Sequence, residues 1–484
     1  MATLKVKVKW GKESYDVDLD LNEAPEVFKA QLFALTGVTP DRQKVMCKGA
    51  ILKETWDSMR VKDGATILMM GSKGEIPQAP AEKPTFLEDM DASQLATALK
   101  LPCGLYNLGN TCYLNAVVQC LRTVPELVKY LATYQTRSND PQITPLSNKQ
   151  QITCSLRDLF WNMEEHAVIQ PLFLVDFWRR TFPQFAEKGE NGVTMQQDAN
   201  EAWTELVRVL DSVLWQNLPK VGVDPSVTVD ETACRKREGF MKMLFGGELE
   251  VTMKCSESES ECETRTTEEF FQLSCFISTE VRYLLAGLKL RMQENITKMS
   301  PTLGRDAVYQ KTSKLSRLPG YLTVSIVRFF YKEKEAVNAK ILKDVKFPMM
   351  LDVFELCSQD LQQSLIPQRD KFKVWEDEQV RTIPVEAKKK DVAEARPDIP
   401  FAFPNDPGSN NSGFYQLQAI LTHKGRSSSS GHYVGWIRRG KEWFKCDDET
   451  VTPIHEDDIM KLSGGGDWHV AYVLLYGPRL LGVS

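Results

Sequence analysis

The sequence predicts an α+β chain of two domains, one small and one large. Three observations carry that expectation. Period-two alternation flanks a helix-spaced segment near the N-terminus, a Pro- and Gly-bearing stretch follows it, and apolar strand-sized segments recur along the remainder. In the first region Leu4, Val6 and Val8 alternate with Lys5 and Lys7. Tyr15, Val17, Leu19 and Leu21 share one face of a second strand, with Gly11-Lys12 suited to the hairpin between them. Val27, Ala30, Gln31 and Ala34 then follow helical spacing, Phe28, Leu32 and Leu35 widen the apolar face, and Thr36-Gly37 suits a helix C-cap. Residues 45–48 and 66–70 read as further short strands, giving a small sheet with a helix packed across it.

Residues 72–85 mix Pro, Gly and charge as a linker does, and a helical segment covers 86–99. The expected division is therefore 1–75 for the small domain, 76–100 for the connection and 101–480 for the large domain. Polar interruptions near 215–239, 256–269 and 368–412 read as surface insertions, because apolar segments resume after each.

Composition excludes several functions. Across 484 residues, Lys plus Arg total 60 against 65 Asp plus Glu, and a net charge of −5 lacks the concentrated basic surface that nucleic acid requires. No apolar run approaches the roughly 20 residues of a membrane helix. Residues 1–10 alternate Lys with apolar side chains, so no secretory signal is expected. The 11 cysteines are odd in number and scattered, which fits a reducing, intracellular compartment.

Two clusters carry chemistry. In the first, Leu114, Val117, Val118 and Leu121 stand at helical spacing, so a buried helix begins just after Cys112, with Asn110 or Thr111 able to cap it. A thiol in the first turn sits where unpaired N–H groups and the helix dipole favour a thiolate. Gly104 and Gly109 allow close backbone approach, and Asn107 can aim an amide N–H at a developing oxyanion. The bland alternative is that Cys112 is a small buried hydrophobe, as Cys120 is read to be.

In the second cluster a Ser-rich loop at 427–430 runs into a strand that opens with His432-Tyr433-Val434. Gly440-Lys441 turns the chain back into 442–446, ending at Asp447-Asp448. A two-residue turn sets Arg439 opposite Glu442 and puts His432 and Asp447 on one sheet face; a bulge would favour Asp448 instead. His423 and His469 receive no role. A helix-start Cys, a His and an Asp are the parts of a thiolate nucleophile, its base and the group that orients the base.

On these residues the chain resembles the ubiquitin-specific proteases. The family's Cys box matches 104–121, its Gln-Gln-Asp element matches Gln196-Gln197-Asp198, and its His box matches 431–436 through Asp447-Asp448. Residues 1–71 are similar to a ubiquitin-like domain. The resemblance implies an N-terminal ubiquitin-like β-grasp domain followed by a papain-like catalytic domain of fingers, palm and thumb. It implies Cys112 as nucleophile, His432 as base, Asp447 as orienting acid and Asn107 as oxyanion donor. It also implies substrate contacts from Gln196, Gln197, Asp198, Ser428, Ser429 and Tyr433, with a polar helix cap as the lesser reading of the element at 196–201.

Met46, Leu68 and Met70 fall where the ubiquitin-like fold exposes an apolar receptor patch, or are plain core strands. The ubiquitin-like domain makes the chain most similar to the proteasome-associated branch of the family. That branch implies ubiquitin and polyubiquitinated proteins as substrates and the base of the 26S proteasome as a partner. It further implies cytoplasmic residence extending to the nucleus, and a monomer when free. Relatives with structural zinc carry Cys-x-x-Cys pairs; this chain has none, and Cys255 and Cys262 stand six residues apart in an acidic run, so no metal or cofactor is expected. The competing reading is a pseudoenzyme that binds ubiquitin and the proteasome without chemistry.

Overall fold

The computed structural model describes residues 3–53, 55–72, 101–135, 146–189, 192–216, 218–224, 226, 239–332, 337–381, 400–427, 430–466 and 468–482. The chain divides into two compact units, Met1–Asp89 and Met90–Ser484. The expected connection at 76–100, its helical segment, and Ser428 and Ser429 lie outside the described residues.

In the first unit the strands Thr3–Trp10 and Glu13–Asp20 form a hairpin. Strand Thr66–Met70 runs parallel to the first, and Lys44–Cys47 and Ala50–Ile51 complete a five-stranded sheet. Helix Pro25–Thr36 crosses it and ends at Gly37, whose left-handed backbone (φ 70°) lets its N–H reach the carbonyl of Phe33. The buried stripe of this helix is narrower than expected. Phe28 and Leu32 pack on Val6, Val8, Ile67 and Met69, whereas Val27 and Leu35 face solvent. A small sheet offers one helix only an i, i+4 contact line, so the remaining apolar positions stay outside.

The second unit is built on an eight-stranded sheet. Its central strand, Val470–Pro478, lies antiparallel between Leu322–Val327 and Phe414–Ser427. Strands Ser430–Arg439, Glu442–Asp447 and Thr450–Ile454 extend one side. Val473 and Leu475 enter one core while Leu474 and Tyr476 enter another, so successive residues feed opposite faces and both faces are covered. On the first face lie helices Cys112–Leu121 and Ala199–Val213. A separate four-stranded sheet runs in the order Gln293–Met299, Asp306–Arg317, Gly247–Cys255, Thr264–Phe270.

Of the expected surface insertions, 256–269 is exposed but supplies an edge strand, whereas the end of 368–412 is instead part of the core. Within 256–269, Thr264–Phe270 pairs with Gly247–Cys255, and the acidic connection folds back so that Glu261 accepts hydrogen bonds from Tyr309 and Ser300. Within 368–412, helix Gln359–Arg381 continues through the beginning, and the segment from 401 returns to the core. Its polarity is consumed internally. Asn410 Oδ1 accepts from the N–H groups of Ser412 and Gly413, and the carboxylate of Asp406 forms a two-pronged ion pair with buried Arg317 at 2.8 and 2.9 Å. Arg317 also donates to the carbonyls of Met243 and Gly246, tying helix, sheet and loop together. Arg317→Ala removes the two-pronged ion pair from the buried Asp406 carboxylate and should cost about 3–5 kcal/mol in urea unfolding. A change below about 1 kcal/mol would show that Asp406 reaches water once the arginine is gone.

Candidate active site

Helix Cys112–Leu121 is buried along its whole length, because it runs between the eight-stranded sheet and helix Ala199–Val213. At its N-cap position Thr111 does not cap with its own side chain; its hydroxyl accepts from Leu108 N–H and its N–H donates to Asn107 Oδ1. These bonds hold the glycine-bearing loop against the first turn of the helix, where Cys112 sits only 3% exposed.

The strand hairpin closes as a two-residue turn requires, with Arg439 opposite Glu442 and Gly435 opposite Cys446. Gly435 lies against the backbone of Ala116 and the stem of Gln119, so the helix packs close to the strand that carries His432. Just before that histidine, Gly431 has φ 139°, and a Cβ there would stand 2.2 Å from the carbonyl of Lys424. Only glycine fits there, and the chain is thereby turned to present the imidazole.

His432 Nε2 meets Asp447 Oδ1 at 2.5 Å, which leaves Nδ1 for the Cys112 thiol, the second group that acts on the ring. The bond to Asp447, followed by that to Cys112, pushes the imidazole pKa up to about 10 against the opposing effect of burial. Asp447 is correspondingly held below the usual carboxylate range, by His432 first and then by Lys445, whose ammonium lies 2.7 Å from the second oxygen. Folding thus favours an imidazolium beside a carboxylate.

Asp448 does different work from its neighbour. Its backbone is left-handed (φ 52°) and its side chain turns inward, accepting from Asn107 Nδ2 at 2.9 Å and Asn115 Nδ2 at 2.8 Å. Burial raises its carboxyl pKa, while these two amides oppose the rise. One amide hydrogen of Asn107 is therefore spent on Asp448, and the second is left to offer to an oxyanion.

Asn115 was not singled out from sequence. It lies on the same helix as Cys112 and spans from Asp448 to the carbonyls of Leu105 and Tyr106. The available signal was an amide at position 115 within the apolar run 114–121, where a buried polar side chain implies a partner. Asp448→Ala removes the acceptor shared by both asparagines. Its expected effect is a fall of about tenfold or more in kcat with little change in KM, together with about 1–3 kcal/mol lost in urea unfolding.

Other expected contacts are placed variously. Asp198 caps helix Ala199–Val213 through Asn200 and Glu201 N–H, and its second oxygen accepts from Tyr472. Gln196 and Gln197 are half-buried beside it, and Gln196 has a buried side-chain N–H without a partner. Tyr433 was expected at the substrate surface but is 1% exposed, its ring packed on His423 and Tyr472. Strand alternation explains the correction: Tyr433 shares its face with Gly435 and Ile437, the face that packs on helix Cys112–Leu121, so its ring lies in the core.

His423 and His469 are buried too, and burial pushes their pKa values down to about 3 and about 4, as suits neutral core histidines. Burial likewise pushes the thiols of Cys103 and Cys275 up to about 11 and that of Cys357 up to about 12, which leaves them unreactive. In the first unit Met46 stands opposite both Ile51 and Leu68, while Met70 stands opposite Lys44. Ile51, Leu68 and Met70 are exposed and Met46 is half-buried, so the patch faces solvent while Val45, Ile67 and Met69 fill the core.

Fold and site together define a cysteine hydrolase whose thiol and imidazole come from distant parts of one α+β domain. The family profile "Ubiquitin carboxyl-terminal hydrolase" matches residues 103–476 and that of the "Ubiquitin family" matches 4–74. The chain belongs to the ubiquitin carboxyl-terminal hydrolases, and it is a deubiquitinating cysteine peptidase with an N-terminal ubiquitin-like domain. It is 42% identical to ubiquitin carboxyl-terminal hydrolase 14 of Caenorhabditis elegans, across 98% of this chain and 94% of that one. It is 40% identical to ubiquitin carboxyl-terminal hydrolase 6 of Arabidopsis thaliana, across 98% and 99% of the two chains. Among solved structures, the SAGA Ubp8/Sgf11/Sus1/Sgf73 DUB module bound to ubiquitin aldehyde shares the fold, with a TM-score of 0.52, 19% identity, and coverage of 78% of this chain and 70% of that one. The helical layer, eight-stranded sheet and four-stranded sheet are the thumb, palm and fingers of this fold.

Proposed function

We propose that this enzyme cleaves the isopeptide bond between the C-terminal Gly of ubiquitin and a substrate Lys. In this reading it acts at the proteasome, trimming chains and recycling ubiquitin before substrates are degraded. Cys112 thiolate attacks the glycyl carbonyl, and the oxyanion that forms is held by Asn107 and neighbouring backbone N–H groups. His432, kept charged by Asp447, protonates the leaving lysine amine, then takes a proton from water as that water attacks the thioester. The carrying observation is the 2.5 Å contact between His432 and Asp447, with the Cys112 thiol acting on the same ring.

The ubiquitin-like domain docks on the proteasome base through Met46, Leu68 and Met70, joined by Ile51, which stands opposite Met46. The enzyme is a cytoplasmic and nuclear monomer when free. The reading is tested by following ubiquitin-substrate turnover with and without purified 26S proteasome, for the intact chain and for one lacking residues 1–75. The particle should stimulate the intact chain at least about tenfold at low concentration and the shortened chain far less, because a tether raises effective concentration. Equal stimulation of both would remove the docking role from the ubiquitin-like domain.

A further inference from the structure

The turn between Asn107 and Cys112 is held mainly by hydrogen bonds. Gly109 (φ 83°) and Asn110 (φ 54°) are consecutive left-handed residues, a conformation that glycine adopts freely and asparagine tolerates. A Cβ added at Gly109 would meet no atom within 4 Å, so packing does not fix the tip of the turn. On its inner side Leu108 N–H donates to the Thr111 hydroxyl, and Thr111 N–H donates to Asn107 Oδ1. On its outer side Asn110 Nδ2 donates to the carbonyl of Thr194 at 2.7 Å. Arg179 Nη2 donates there too, to the carbonyls of Gly109 at 2.8 Å and Leu108 at 3.4 Å.

Arg179 stands on a firmly packed helix, Leu172–Thr181. Its neighbour Trp178 is buried, with ring centres 4.6 Å from Phe182 and 5.1 Å from Phe185. Phe185 in turn stacks at 5.5 Å on Tyr113, the residue after Cys112. The guanidinium therefore reaches the turn from an element braced against the helix of the nucleophile. It adds little to the fold itself: Nη2 meets two neutral carbonyls, while Nε is buried without a partner among the described residues, so one gain is set against one loss. Arg180 beside it pairs with Asp176 of the same helix at 2.7 Å and gives a control of equal charge.

We infer that Arg179 is a positioning residue for oxyanion stabilisation, gripping the carbonyls of Leu108 and Gly109 and so fixing the turn that aims the Asn107 amide. The inference rests on the reading of Asn107 as the oxyanion donor. Leu108 is the residue whose N–H holds Thr111, so a shift at its carbonyl passes to the Thr111–Asn107 bond that orients the carboxamide. Asp448 holds the same carboxamide through Nδ2, which leaves the oxygen side dependent on the turn.

The test is a double-mutant cycle in the full chain, read with a ubiquitin C-terminal fluorogenic substrate, ubiquitin aldehyde and ubiquitin itself. The Cys112 thiol adds across the aldehyde carbonyl, its proton passing to the new hydroxyl, so aldehyde affinity reports on the oxyanion pocket and ubiquitin affinity does not. Arg179→Met should lower kcat about tenfold with KM within about twofold of native, since a small misplacement near the reacting atoms is costly in rate. Aldehyde affinity should fall by a similar factor, and ubiquitin affinity should hold. Arg179→Lys, which can still donate to one carbonyl, should recover part of the loss, and Arg180→Met should leave kcat unchanged. The thermal midpoint of Arg179→Met should stay within about 3 °C of native. Asn107→Ala should lower kcat about 10²-fold or more, and adding Arg179→Met to it should cost less than about twofold further, because the arginine acts through Asn107. Native kcat in Arg179→Met beside an impaired Asn107→Ala overturns this inference alone, as does an undiminished loss when Arg179→Met is added to Asn107→Ala. Native kcat in Asn107→Ala overturns the oxyanion reading itself and the role of Arg179 with it.

Discussion

Replacing Cys112 with Ala should lower turnover of a ubiquitin C-terminal fluorogenic substrate by about 10⁴-fold or more while leaving ubiquitin affinity unchanged. The size follows from the mechanism: without the sulfur there is no covalent intermediate, and His432 is left with no group to activate. The cysteines nearby, Cys103, Cys120 and Cys446, offer no substitute, since burial raises the pKa of each. A ubiquitin bearing a C-terminal electrophile should label the native chain at one site and the variant at none. Appreciable hydrolysis by Cys112→Ala, or labelling at another cysteine, would remove Cys112 as the nucleophile and revive the reading of a binding protein without chemistry.

The second large effect concerns Asp447. Asp447→Asn removes the principal cause of the raised imidazole pKa, so His432 should fall from about 10 toward the ordinary histidine value. The alkaline limb of the kcat/KM profile, which reports loss of the imidazolium proton, then moves to lower pH. At neutral pH the rate should drop by about 10²–10⁴-fold, since orientation and charge of the base are lost together. Stability carries the matching signs. His432, raised on folding, stabilises the fold fully below its unfolded pKa, and that contribution disappears as pH climbs through about 10. Asp447, depressed on folding, contributes above the ordinary aspartate range, and its share is lost as the medium becomes strongly acidic. An unmoved alkaline limb in Asp447→Asn would show that another group sets the imidazole.

The site was largely legible because its chemistry lives in local patterns. A thiol after Asn110-Thr111 announces a helix start, and Gly440-Lys441 fixes the parity that sends His432 and Asp447 to one face. The division of labour between Asp447 and Asp448 was not legible, because the left-handed backbone at Asp448 rotates its side chain out of strand alternation. Tyr433 was misplaced because the family motif names a residue without saying which way it points. The segment at 401–412 looked like an insertion because its polarity is visible in sequence and its partners are not. Arg317 and Asp406 are 89 residues apart, and Asn410 closes onto its own loop. Helix Pro25–Thr36 misled in the opposite direction, with more apolar positions than the small sheet beneath it can cover.

The placement of strand Val470–Pro478 at the middle of the large sheet bears on when the enzyme comes alive. A ribosome delivers Cys112 early and His432 late, yet the strand that joins the two halves of the palm emerges after both. Until then Leu322–Val327 and Phe414–Ser427 have no shared neighbour, and the histidine hairpin has only half a platform. A nascent chain, or one cut short before residue 470, therefore has two half-sheets, each with one edge left unpaired. The last strand to be made is the one that joins the two halves of the sheet.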